Sequence, residues 1–130
     1  MDNVFQISAQ ALAYLGDSVL ETLIREHLIL KGLEKSARLN KEALLYVTAV
    51  NQCKAFSLIE SSLTEEESAI FRRGRNSSHL NIPKSASVQE YRIATGFEAI
   101  FGFLHLKHDV NRIKQLFLLA FPDFNANNNI

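Results

Sequence analysis

The sequence predicts an all-α fold, and three observations carry that expectation. Apolar residues recur at helical spacing along most of the 130-residue chain. Only two prolines and five glycines interrupt it, too few for a loop-rich or all-β chain. Two Ser/Thr-x-x-Glu signatures, Thr64 with Glu67 and Ser87 with Glu90, mark helix starts. A chain of this length fits one domain and can bury a moderate core. Residues 1–121 are expected to form that domain, with 122–130 as a C-terminal tail.

The elements follow in order. From Ser8 to about Lys31, Leu12, Leu15, Val19, Leu23 and Leu30 make one apolar stripe, expected to be the buried face. Ala13, Leu20, Ile24 and Leu28 make a second stripe, and Asp17 falls within it. A helix apolar on two sides is central to a fold or shared with a partner subunit. Gly32 suits its end. A second helical region runs from Leu39 to Ser61, with room for a break, and carries Leu44, Val47, Val50, Phe56 and Ile59. Thr64 opens a short helix to about Arg73, for which Gly74 is the expected C-terminal cap. Arg72 and Arg73 there suit the negative end of the helix dipole.

The stretch 75–86, RNSSHLNIPKSA, is polar, contains proline and is expected to be an exposed loop. Ser87 then opens the helix carrying Glu98, which runs to about Lys107 with Ile93, Phe97, Ile100 and Leu104 on its core face. Glu98 lies off that face, in a row with Tyr91, Thr95, Gly102 and His105 that suits the wall of a cavity. Asp109 caps a last amphipathic helix through Phe121, which Pro122 ends.

Composition excludes several classes. The single cysteine, Cys53, rules out an intrachain disulfide and fits a reducing cytoplasm. A zinc site is not expected without clustered Cys or His, and no glycine-rich phosphate loop occurs. No apolar run reaches the ~18 residues of a membrane span, and no signal-peptide pattern opens the chain. The formal net charge of zero hides an asymmetry. Glu60, Glu65, Glu66 and Glu67 form an acidic block. Between Arg72 and Arg92, five positive residues face one negative, a local +4 able to contact a polyanion.

Asp17, in ALAYLGDSVLE, and Glu98, in ATGFEAIFGFL, are acids embedded among apolar residues. Desolvating an acid is costly, so each needs a partner or a task. Gly16 beside Asp17, and Thr95 and Gly102 around Glu98, leave room for a close approach. Two readings stand at this point. One is a metal-assisted site, and the other is a pair of helix acids satisfied by nearby Arg or Lys.

These motifs resemble the ribonuclease III family. ALAYLGDSVLE is similar to its signature helix and ATGFEAIFGFL to its second acidic helix. RRGRN followed by PKSASVQEYR resembles the Mini-III ribonucleases more specifically. The likeness covers roughly residues 6 to 120, with the motifs in the family's order. It implies a ribonuclease III-type helical endonuclease domain without the double-stranded-RNA-binding domain, working as a homodimer. It further implies an endoribonuclease that cuts double-stranded RNA, leaving 5′-phosphate and 3′-hydroxyl ends. The substrate implied is a large-subunit ribosomal RNA precursor, possibly already carrying a ribosomal protein.

Asp17 and Glu98 match two of the family's four metal-binding acids and are the implied catalytic and metal-binding residues. The other two positions fall on Ala13 and Thr95, a pattern that the Mini-III enzymes resemble. Val50–Asn51–Gln52 also departs from the family, where a lysine-containing segment is expected. Magnesium keeps several waters and often uses one or two protein carboxylates, so two acids suffice for it, and manganese substitutes. Phosphate contacts are expected from Arg72, Arg73, Arg75 and Lys84. Asn76, Ser77 and Ser78 are expected to reach phosphate or 2′-hydroxyl groups. The competing expectation is a non-catalytic helical module of the same fold that binds RNA or ribosomal particles.

Overall fold

A computed structural model describes residues 3–77 and 86–125. Six α-helices are present: α1 (Ala9–Leu30), α2 (Ser36–Val47), α3 (Ala49–Ser57), α4 (Glu65–Arg75), α5 (Val88–Leu106) and α6 (Val110–Ala120). Short 3-10 turns cover Val4–Gln6, Glu60–Ser62 and Pro122–Phe124. The all-α expectation holds, with no strand among the described residues.

The capping chemistry sets the helix starts. Ser8, Thr48 and Asp109 each accept a backbone N–H from the first turn of α1, α3 and α6. Thr64–Glu67 and Ser87–Glu90 form full capping boxes, as their spacing predicts. Gly32 takes φ 102°, and the Leu33 N–H donates to the Leu28 carbonyl, so α1 ends in a Schellman turn. The break foreseen in the second helical region falls at Thr48.

α5 is the centre of the molecule, packed by α1, α3 and α4. Every residue from 94 to 104 is buried except Glu98. The row Thr95–Gly102 is therefore packed interior and not the cavity wall that the sequence suggested. On α1, the buried face is Ala13, Leu20, Ile24 and Leu28, the stripe expected to be secondary, together with Leu12 of the first stripe. Leu30 is 81% exposed, and Leu15, Val19 and Leu23 are half-buried beside Val110 and Ile113 of α6. Leu20, at 0% exposure, belongs to the subunit's own core and not to a dimer contact. Helical spacing alone could not rank the two stripes, since both are apolar.

Two further corrections concern termini. Gly74 lies inside α4, and Asn76 is its C-cap. A Cβ on Gly74 would come within 2.8 Å of the Gly96 Cα, so this glycine serves close packing of α4 on α5. At the C-terminus the packed domain continues past residue 121. Phe124, placed in the tail by the sequence, is 2% exposed and packs on His27, Tyr46 and Phe117. Part of the acidic block is structural: buried Glu67 pairs with Arg112 at 2.8 Å. Burial works against its charge, but bonds from Arg112 and Thr64 prevail and hold its carboxyl below the usual range.

Candidate active site

The site is built where α1 crosses α5. Gly16 and Gly102 face each other across the crossing. A Cβ on Gly16 would overlap the carbonyl oxygen of Glu98, and one on Gly102 would overlap that of Leu12. The small residues thus admit the backbone of the other helix. Asp17 follows Gly16, and Gly16 lies against the Glu98 carbonyl. Backbone contact therefore fixes the separation of the two acids more firmly than side-chain packing alone could.

The acids meet. Glu98, half-buried, shares a hydrogen bond with the exposed Asp17. Burial and the charge of Asp17 push the Glu98 carboxyl up to about 9, so without a cation it keeps a proton at neutral pH and donates it to Asp17. Glu21 adds to the shift, whereas a hydrogen bond from Gln52 opposes it. The reading in which nearby Arg or Lys satisfies these acids finds no support, because acids and an amide surround Glu98 and neither acid forms an ion pair among the described residues. Cys53, next to Gln52 on α3, is half-buried, its thiol pushed up by burial and Glu90.

Such a pair suits a divalent cation. Two hard oxygen donors lie together, further negative charge is disfavoured there, and Asp17 opens the site to solvent. Among the described residues no group of three or more His, Cys, Asp or Glu could hold a metal ion. The donor set fits an ion that keeps most of its waters, as magnesium does. The positions where the wider family has further acids supply none. Ala13 is 6% exposed in the core, and the Thr95 hydroxyl donates to the Tyr91 carbonyl at 3.0 Å.

The predicted basic residues gather at the C-terminal end of α4, but they do not act alike. Arg73 donates to the Phe5 and Ile7 carbonyls, the latter at 2.6 Å, and its guanidinium lies over the Phe5 ring. Arg75 lies over the Phe71 ring and donates to Asn76 Oδ1 at 3.2 Å. The Ser77 hydroxyl donates to the Gly74 carbonyl at 2.7 Å. Arg72 and Asn76 are exposed. A surface cavity of about 680 Å³ joins Arg72, Arg73, Asn76 and Ser77 to Ser8 and Gln10 at the start of α1. Ser78 and Lys84 lie outside the described residues.

Sequence reasoning did not assign Gln52 to this site. It singled the residue out only as part of a departure from the family pattern. The available signal was a polar side chain among helical apolar positions, which becomes informative once α3 is known to pack on α5.

Comparison with known proteins identifies the family. The Ribonuclease III domain matches residues 10–109 of the chain. Mini-ribonuclease 3 of Streptococcus pneumoniae is 43% identical over 118 residues, covering 89% of this chain and 92% of that protein. Mini-ribonuclease 3 of Enterococcus faecalis is 40% identical, over 85% and 86% of the two chains. A crystal structure of a Fusobacterium nucleatum protein, 32% identical, superposes with a TM-score of 0.81 over 90% of this chain and 93% of that one. The chain belongs to the ribonuclease III family, with the compact Mini-ribonuclease 3 proteins.

Proposed function

We propose that this chain is a magnesium-dependent endoribonuclease that cuts double-stranded RNA. The observation that supports it most is the Asp17–Glu98 carboxyl contact at the α1–α5 crossing. Asp17 and Glu98 are the residues that would hold the divalent cation, and manganese could replace magnesium. Before it binds, Glu98 releases its proton, so uptake of the cation releases protons to solution. Once bound, the cation supplies Lewis-acid stabilisation of charge on the phosphate and activation of a water. The helix backbones keep the two carboxyls at a fixed separation while substrate enters from the solvent side of Asp17.

RNA is held by the catalytic domain itself. Arg72, Asn76 and Ser77 line the cavity beside α1, and Arg75, with Ser78 and Lys84 from outside the described residues, completes the predicted set of RNA contacts. Arg73 contributes charge there while tying down the N-terminal segment. The products carry 5′-phosphate and 3′-hydroxyl ends. The substrate is a large-subunit ribosomal RNA precursor in the cytoplasm, with a bound ribosomal protein as a candidate helper. The active form is a homodimer. Tyr14, 86% exposed one turn before Asp17, offers a second subunit an aromatic contact close to the site. No helix among the described residues is long and apolar enough to cross a membrane.

Cleavage of labelled double-stranded RNA, with and without magnesium, tests the reading. Wild type should cut only with the ion. Asp17→Asn should lose on the order of 1,000-fold or more, the equivalent of several kcal/mol of charge stabilisation, while still binding RNA. Normal cutting by Asp17→Asn would remove that residue from the mechanism. Binding without cutting by wild type would favour the non-catalytic module.

A further inference from the structure

Two surface cavities meet at Asn76, the C-cap of α4. The first is the one beside α1. The second, of about 560 Å³, lies where α3, α4 and the start of α5 come together. Its floor is apolar: Phe56 and Phe71, both buried, stack there with ring centroids 3.9 Å apart. Its rim is polar, with Arg75, Arg92 and Glu60 beside the amides of Asn76 and Gln89. Two guanidiniums against one carboxylate leave that rim positive.

The two arginines are prepared differently. Arg75 lies over the Phe71 ring, 5.6 Å from its centroid, and its Nε donates to Asn76 Oδ1 at 3.2 Å. These contacts hold its guanidinium at the wall. Arg92 is exposed and makes no hydrogen bond, ion pair or ring contact among the described residues. Glu90, its nearest acid in sequence, is committed to the α5 capping box with Ser87. Glu60 lines the same cavity but forms no ion pair with either arginine. Arg112 is the contrast, since its guanidinium is taken up by Glu67, Gln115 and the Ser62 carbonyl. Arg92 thus has a place at a concave surface and no structural use for its charge.

We infer that this second cavity seats a backbone phosphate of the RNA, with Arg92 as the direct contact and Arg75 beside it. The inference rests on the RNA-cleaving reading above and extends it across α4. Because both cavities include Asn76, one strand passes from Arg72 over the end of α4 to Arg92. A guanidinium grips two oxygens of one phosphate at once, which a lysine does not match. The amides of Asn76 and Gln89 suit 2′-hydroxyls of the same strand. Glu60 repels the anion and so marks the edge of the track.

The test takes Asp17→Asn as the non-cutting parent and a fully paired double-stranded RNA as the probe. Adding Arg92→Ala should weaken binding about 10-fold or more and lower the salt slope by about one. Arg92→Lys should keep the slope and lose less affinity. Arg92→Ala with affinity within about twofold of the parent would overturn the inference. A second readout uses Cys53, the chain's single cysteine, which lines this cavity half-buried. Saturating RNA should slow its alkylation by a maleimide several-fold. Alkylation at the free rate in RNA-saturated protein would also overturn the inference, because no strand would then cover the cavity. A parent that binds no double-stranded RNA would sink the RNA reading and this inference with it. A parent that binds, with both readouts unmoved, would remove the second site alone.

Discussion

The α1–α5 crossing and the C-terminal end of α4 are both candidate functional regions, and they are built on opposite terms. At the crossing, backbone touches backbone through Gly16 and Gly102, and two acids are brought together so closely that Glu98 keeps its proton at neutral pH. At the end of α4, long basic side chains lie over aromatic rings and tie neighbouring carbonyls, so much of their charge already has a structural use. The first region is strained electrostatically and rigid. The second is relaxed and partly committed. Chemistry needs the former and a broad polyanion contact tolerates the latter, because counterion release depends on charge near the groove more than on any single geometry.

The rigidity can be broken at one atom. Gly16→Ala adds a methyl group where the Glu98 carbonyl already sits, so α1 and α5 must separate. Overpacking of this kind typically costs about 1–3 kcal/mol and sometimes more. The expected result is a clear drop in melting temperature together with loss of most cleavage, since the acids move apart with their helices. A variant that melts like wild type and cuts normally would show that the glycine contact does not set the site.

That example also shows what the sequence could and could not disclose. Capping boxes at Thr64 and Ser87 are local chemistry, and they located two helix starts to the residue. Both acids were legible because a carboxylate amid apolar helical positions is conspicuous. Their mutual contact was not, since it depends on how α1 crosses α5. Gly16 and Gly102 were read as room for a close approach without saying what approaches, and Gly74 as a cap, although each of the three admits a helix backbone. Arg73 carries the same blind spot. Its charge suggested phosphate, but its partners, the carbonyls of Phe5 and Ile7, lie 66 to 68 residues away along the chain. Gln52 was visible only as an oddity for the same reason.

The electrostatic strain at the crossing predicts a pH signature in metal-free protein. Glu98 titrates near 9 when folded, against an ordinary value of 4.5. Between those limits the folded chain binds the proton that the unfolded chain has released. Its contribution to stability is therefore fully present below about pH 4.5 and is lost as pH rises toward 9. Glu98→Gln keeps a neutral side chain at every pH and escapes that loss. In a chelator, its melting temperature should match wild type near pH 5 and exceed it by several degrees near pH 8.5. A gap that stays constant with pH would mean that the pair is not strained, and that the contrast with the α4 region is overdrawn.

The smallest expected effect separates two adjacent arginines. Arg72 is exposed at the cavity beside α1, whereas Arg73 is bound to the Phe5 and Ile7 carbonyls. RNA binding is best measured on the non-cutting Asp17→Asn background across a salt series. Arg72→Ala should weaken binding and reduce the salt slope by about one, the mark of one lost phosphate contact, with little change in melting temperature. Arg73→Ala should do the reverse, leaving the slope nearly intact while lowering the melting temperature, because two carbonyls and the Phe5 ring lose their partner. Equal slope changes in both variants would mean that Arg73 reaches phosphate as well, and that structural commitment does not withdraw a charge from the RNA surface.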